Sequence, residues 1–60
     1  MPCSTFIIRV DKEGNTKFIY KDGPYYRDFD DALRNAKTVH QSQGNPDSEG
    51  NVVITITLEH

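Results

Sequence analysis

The chain has a single cysteine, Cys3, so it can close no disulfide of its own. One thiol and no signal-peptide pattern suit a reducing compartment, and a cytoplasmic protein is expected. Neither Cys3 nor His40 sits in a zinc-ligand spacing and no calcium-loop spacing occurs, so neither a metal nor another cofactor is expected. Long apolar runs are missing too. Phe6-Ile7-Ile8 is as long as they become, far short of the roughly 20 residues that cross a bilayer, and no membrane partner is expected. Charge of one sign is not in excess either. Seven basic and nine acidic residues leave a formal net charge of -2, with no general attraction to nucleic acid or anionic lipid. The four glycines, Gly14, Gly23, Gly44 and Gly50, stand apart and make no phosphate loop.

Nothing in the sequence sets up catalysis. Ser4, Ser42 and Ser48 occupy no nucleophile motif. Asp30 and Asp31 are adjacent, point in different directions, and read as helix-start charges rather than an acid/base pair. The chain is therefore expected not to be an enzyme.

At 60 residues folding buries only about 60% of the surface that the unfolded chain exposes. The margin over conformational entropy is thin, which leaves a well-packed core or a partner chain to supply it. Residues 4–10 read as a strand rich in Phe, Ile and Val. Asp11-Lys12-Glu13-Gly14 suits a type I turn whose Gly adopts the left-handed conformation, and 16–21 is the return strand. That turn places Ile8 opposite Phe18, Phe6 opposite Tyr20 and Arg9 opposite Lys17, with Phe6, Ile8, Val10, Phe18 and Tyr20 on one face.

Asp22-Gly23-Pro24 ends the hairpin. Asp28 is the expected N-cap of a helix, and Phe29, Ala32, Leu33, Ala36 and Val39 form its apolar stripe. Gly44 and Pro46 are expected to stop that helix, and 45–50 to be a polar connector. A last strand over 51–57 alternates Val52, Ile54 and Ile56 with Val53, Thr55 and Thr57. The expected fold is α+β, ββαβ: a three-stranded antiparallel sheet of order 2-1-3 with the helix packed on one face, over Phe6, Ile8, Phe18, Ile54 and Ile56. Residues 1–57 form one domain in this reading, with no internal repeat. Leu58-Glu59-His60 looks like the start of a C-terminal vector tag and is set aside from function.

The segment Phe29-Asp30-Asp31-Ala32-Leu33-Arg34-Asn35-Ala36, following a hairpin, resembles the helix onset of HicB-type antitoxin domains. The resemblance runs over residues 6–39 and implies a strands-helix-strand plan and an antitoxin-like role. Those domains carry a third strand and a Pro-Gly turn before the helix, where this chain has Asp22-Gly23-Pro24-Tyr25-Tyr26. No site residue is carried over from them.

The sheet face away from the helix is the expected working surface. It should present Ile7, Ile19 and Val53 among Arg9, Lys17, Lys21 and Thr55. An apolar group on an open face marks a contact site when it is large enough, so the leading expectation is a protein-interaction module, bound to a partner or to itself as a homodimer. Arg9 opposite Lys17 places like charges side by side. With Lys21 and the aromatic-basic group Tyr25, Tyr26 and Arg27, they support the alternative of a nucleic-acid-binding module.

Overall fold

The computed structural model describes residues 3–23 and 28–60. Its elements in chain order are β1 (Cys3–Val10), β2 (Thr16–Asp22), α1 (Phe29–Arg34), β3 (Thr38–Gln43) and β4 (Val52–Glu59). The four strands form one sheet of order β2-β1-β4-β3, and each neighbouring pair is antiparallel. The expectation of three strands in order 2-1-3 is thus corrected. The last strand does lie beside the first, but a fourth strand occupies residues that the helix was expected to hold.

The helix begins where the sequence placed it. Asp28 is extended at the N-cap, and its carboxylate accepts from the Asp31 N–H at 2.9 Å. Asp30 and Asp31 put negative charge in the first turn. It then stops after six residues, well short of Val39. Asn35 is a weak helix former, and its side-chain amide donates to the Asp31 carbonyl at 2.8 Å. Its neighbour Ala36 bonds back to the Leu33 carbonyl, three residues earlier, which tightens the last turn. The Lys37 N–H then donates to the Glu59 carbonyl at 2.7 Å, and the chain runs on as β3. So short a helix has no stability of its own. The backbone groups along β4, by contrast, gain a full ladder from β3.

The hairpin register agrees with expectation at Ile8↔Phe18 and Arg9↔Lys17. Between Ile7 and Ile8 a β-bulge intervenes, leaving Ile19 as the extra residue, so that Tyr20 pairs with Ile7 and Lys21 with Phe6. The expected pairing of Phe6 with Tyr20 is corrected accordingly. Tyr20 joins the row away from the helix, and Lys21 joins the row on the helix side.

Each hairpin turn is built on the same Asp-x-Glu-Gly-Asn pattern, as Asp11-Lys12-Glu13-Gly14-Asn15 and as Asp47-Ser48-Glu49-Gly50-Asn51. In both, the Gly N–H donates to the Asp carbonyl and the Asp N–H to the Asn carbonyl. Gly14 and Gly50 take φ of 87° and 86°, the left-handed region in which a side chain is strained. What read as a polar connector is therefore a second tight turn. Because Val10 pairs with Val52, the two turns lie side by side at one end of the sheet.

The core sits at the other end. Among the described residues Phe6, Ala32 and Leu58 are its buried apolar members, with Phe29, Ala36 and Ile56 packed against them. The Phe6 and Phe29 rings meet edge to face at 5.1 Å. Leu58-Glu59-His60, set aside as a tag-like segment, takes part in this packing. Leu58 is fully buried, and His60 Nε2 lies 2.9 Å from the hydroxyl of buried Ser4.

Candidate interaction surface

Alternation along the strands sorts the expected contact residues between two faces. On the side away from the helix, Ile7 pairs with Tyr20 and Thr55, and Arg9 with Lys17 and Val53. Five of the expected residues, Ile7, Arg9, Lys17, Val53 and Thr55, do share that face. Lys21 does not, since the bulge places it opposite Phe6 on the helix side. Ile19 sits at the bulge and is about half exposed. Tyr25, Tyr26 and Arg27 lie outside the described residues. β3 adds His40 opposite Thr57 and Ser42 opposite Thr55, and His40 Nε2 meets the Glu59 carboxylate at 2.6 Å. The result is a face of hydroxyls, the neighbouring cations Arg9 and Lys17 and the His40–Glu59 contact, with three larger apolar side chains, Ile7, Tyr20 and Val53.

The helix side carries a second apolar row. Ser4↔Leu58, Phe6↔Ile56, Ile8↔Ile54 and Val10↔Val52 are the row pairs of the two central strands. The six-residue helix covers the first two pairs and stops. Beyond it Ile8, Val10, Val52 and Ile54 are only partly buried, and Phe18 is 51% exposed although its ring touches those of Phe6 and Phe29. The expectation that a long helix would bury Ile8, Phe18 and Ile54 is corrected. Its physical cause is the early stop at Asn35, the one signal in the sequence from which this surface could have been found.

At the turn end, an open cleft of about 410 Å³ is lined by Arg9, Lys17, Asp11, Asn15, Glu49 and Asn51. Of its two carboxylates, that of Asp11 serves its own turn, as Asp47 does in the neighbouring one. Asp11 Oδ1 accepts from the Glu13 and Asn15 N–H groups, and Asp47 Oδ1 accepts from those of Glu49 and Asn51. These bonds favour the charged form, led by the Asn15 N–H at Asp11 and the Asn51 N–H at Asp47, and hold both carboxyls below their ordinary value. Ser4 and His60 also come together, and the Ser4 hydroxyl in that contact is buried, with the residue about 1% exposed.

The chain thus belongs structurally to small antiparallel sheets that carry a helix on one side. It matches no known protein family, no curated protein and no solved structure. Among the described residues, no group of three or more His, Cys, Asp and Glu side chains is placed to hold a metal ion. No helix among them is long and apolar enough to cross a membrane.

Proposed function

We propose that this chain is a small non-catalytic protein-interaction module of the reducing cytoplasm, and that it meets a protein partner through the apolar band on the helix side of the sheet. The observation that carries this reading is the mismatch between a six-residue helix and central strands of eight residues. It leaves Ile8, Val10, Phe18, Val52 and Ile54 contiguous and partly or well exposed. Fully burying such a side chain is worth roughly 1.5–3 kcal/mol, so a partner that covers the band gains what the helix does not supply. An antitoxin-like role is one specific form of this reading.

The nucleic-acid alternative has less support than the sequence suggested. The bulge moves Lys21 to the other face and leaves Arg9 and Lys17 as the adjacent cations.

Site-specific cross-linking in cells with the native chain, Val52→Lys and Thr55→Lys tests the reading. A partner captured by the native chain and by Thr55→Lys, but lost with Val52→Lys, is the expected outcome. A partner lost only with Thr55→Lys would return the contact to the open face. Absence of any partner whose capture depends on either position would overturn the proposal.

A further inference from the structure

The two edges of the sheet are guarded differently. Edge strands invite pairing with other chains, and proteins blunt them with lysines and bulges. β2 carries both devices: Lys17, Lys21 and the bulge at Ile19. β3, Thr38-Val39-His40-Gln41-Ser42-Gln43, is exposed throughout, holds no Asp, Glu, Lys, Arg or Pro, and pairs with β4 without a register break. Among the described residues no strand lies beyond it.

The hydrogen-bond phase of β3 follows from the bond at its C-terminal end. The Gly44 N–H donates to the Val53 carbonyl in the register of the ladder, so the odd-numbered residues of β4 face β3. In the register Ser42↔Thr55 and His40↔Thr57, the even-numbered residues of β3 therefore spend their backbone groups on β4, and Val39, Gln41 and Gln43 direct theirs outward.

We infer that β3 is a self-association edge, along which two copies of this chain pair antiparallel to make one continuous eight-stranded sheet. A two-fold axis perpendicular to the sheet at Gln41 sets Gln41 opposite Gln41 of the second copy and Val39 opposite its Gln43. All three outward-facing residues then form hydrogen-bonded pairs of two bonds each. Centring the axis on His40 instead would leave Gln43 outside these pairs and set two imidazoles face to face. In the Gln41 register His40 lies opposite Ser42, no like charges meet, and each residue keeps its own face of the sheet. Both helices then lie on the same side, and the two apolar bands stay open. The same operation on the β2 edge would bring lysines of the two copies together across a bulge. That contrast selects β3 over β2, and the outward groups of β3, which complement themselves about Gln41 with no like charges opposed, make a second copy the occupant.

Sedimentation over a concentration series tests the pairing with the native chain, Gln41→Lys, Gln41→Glu, an equal mixture of the two, and Gln41→Pro. Far-UV circular dichroism melts confirm that each variant is folded. The native chain is expected to dimerise below millimolar concentration. Gln41→Lys and Gln41→Glu, each of which opposes like charges across the axis, should weaken the dimer about fivefold at low salt. Their mixture should restore it as a heterodimer, because position 41 meets itself only in this register. Gln41→Pro removes an outward N–H while sparing the bonds to β4, and should weaken the dimer at least about tenfold. A native chain that stays monomeric near millimolar concentration would overturn the inference. So would a dimer indifferent to all Gln41 variants, and its loss in Val52→Lys would then assign self-association to the apolar band.

Discussion

Asp11 and Asp47 illustrate how much of this chain is local grammar. Each carboxylate gathers two backbone N–H groups of its own turn and the amide of the closing asparagine. Their folded-state pKa values lie below the ordinary 3.8. The stability they lend is therefore fully present above that value and is lost as pH falls through the lowered folded values. Denaturant melts between about pH 2 and pH 6 should show stability declining in the acid limb below about pH 4, with a shallower decline in the Asp11→Asn/Asp47→Asn double variant. The glycines of the same turns separate strain from crowding. Alanine at either position meets a left-handed backbone at a cost of about 1 kcal/mol. At Gly50 its Cβ would also lie 3.1 Å from that of Lys12, whereas at Gly14 nothing stands within 4 Å. Gly50→Ala should accordingly lower the melting temperature further than Gly14→Ala. Asp28→Ala should cost about 0.5–2 kcal/mol through loss of the cap, and a loss of only a few tenths in urea melts would move the cap elsewhere. The first turn and the cap were legible in the sequence because their signals lie within four residues of one another.

Elements were less legible where their reasons are non-local. The hairpin of β1 and β2 and the strand β4 carry apolar alternation and are readable. β3 carries almost none: Val39 is its one aliphatic residue, and on the same side of the strand it is followed by Gln41 and Gln43. A polar segment of this kind becomes a strand because β4 offers it a ladder, a fact of tertiary structure. Read locally, Ala36 and Val39 extend a helical stripe, and only the weak propensity of Asn35 argues against it. The bulge at Ile19 is non-local as well, and it decided which face received Lys21. The tail of β4 shows the same dependence. Leu58 packs on Phe6 and Ala32 at 0% exposure, so Leu58→Ala should cost about 2–5 kcal/mol in equilibrium unfolding. A cost below about 1 kcal/mol would show that the core does not extend to the end of this strand.

For the molecule as a whole, surface outweighs core. Its accessible area is 4415 Å², whereas a folded monomer of 6.8 kDa has about 3,950 Å² by the usual scaling with mass. Charge points away from nucleic acid: at a net charge of -2, with Arg9 and Lys17 as the remaining adjacent pair, no binding to duplex or single strand is expected at about 20 mM salt. Binding there that falls steeply as salt rises would revive the alternative through counterion release. Such charge balance was readable from composition. The apolar band was not, because it depends on where the helix ends.

The pairing of Cys3 with Glu59 has a mechanical consequence. A load applied between these two residues pulls on neighbouring strands from the same end of the sheet, across their hydrogen bonds rather than along them. The β1–β4 ladder then opens one rung at a time, Ser4–Leu58 next and Val10–Val52 last, and no large set of bonds has to break together. The first rungs to part are those of the Phe6–Leu58 core, so the molecule should yield at low force and lose its packing at the outset. A pull applied between Cys3 and Val52, at opposite ends of the same two strands, would instead shear the whole ladder at once and meet far greater resistance.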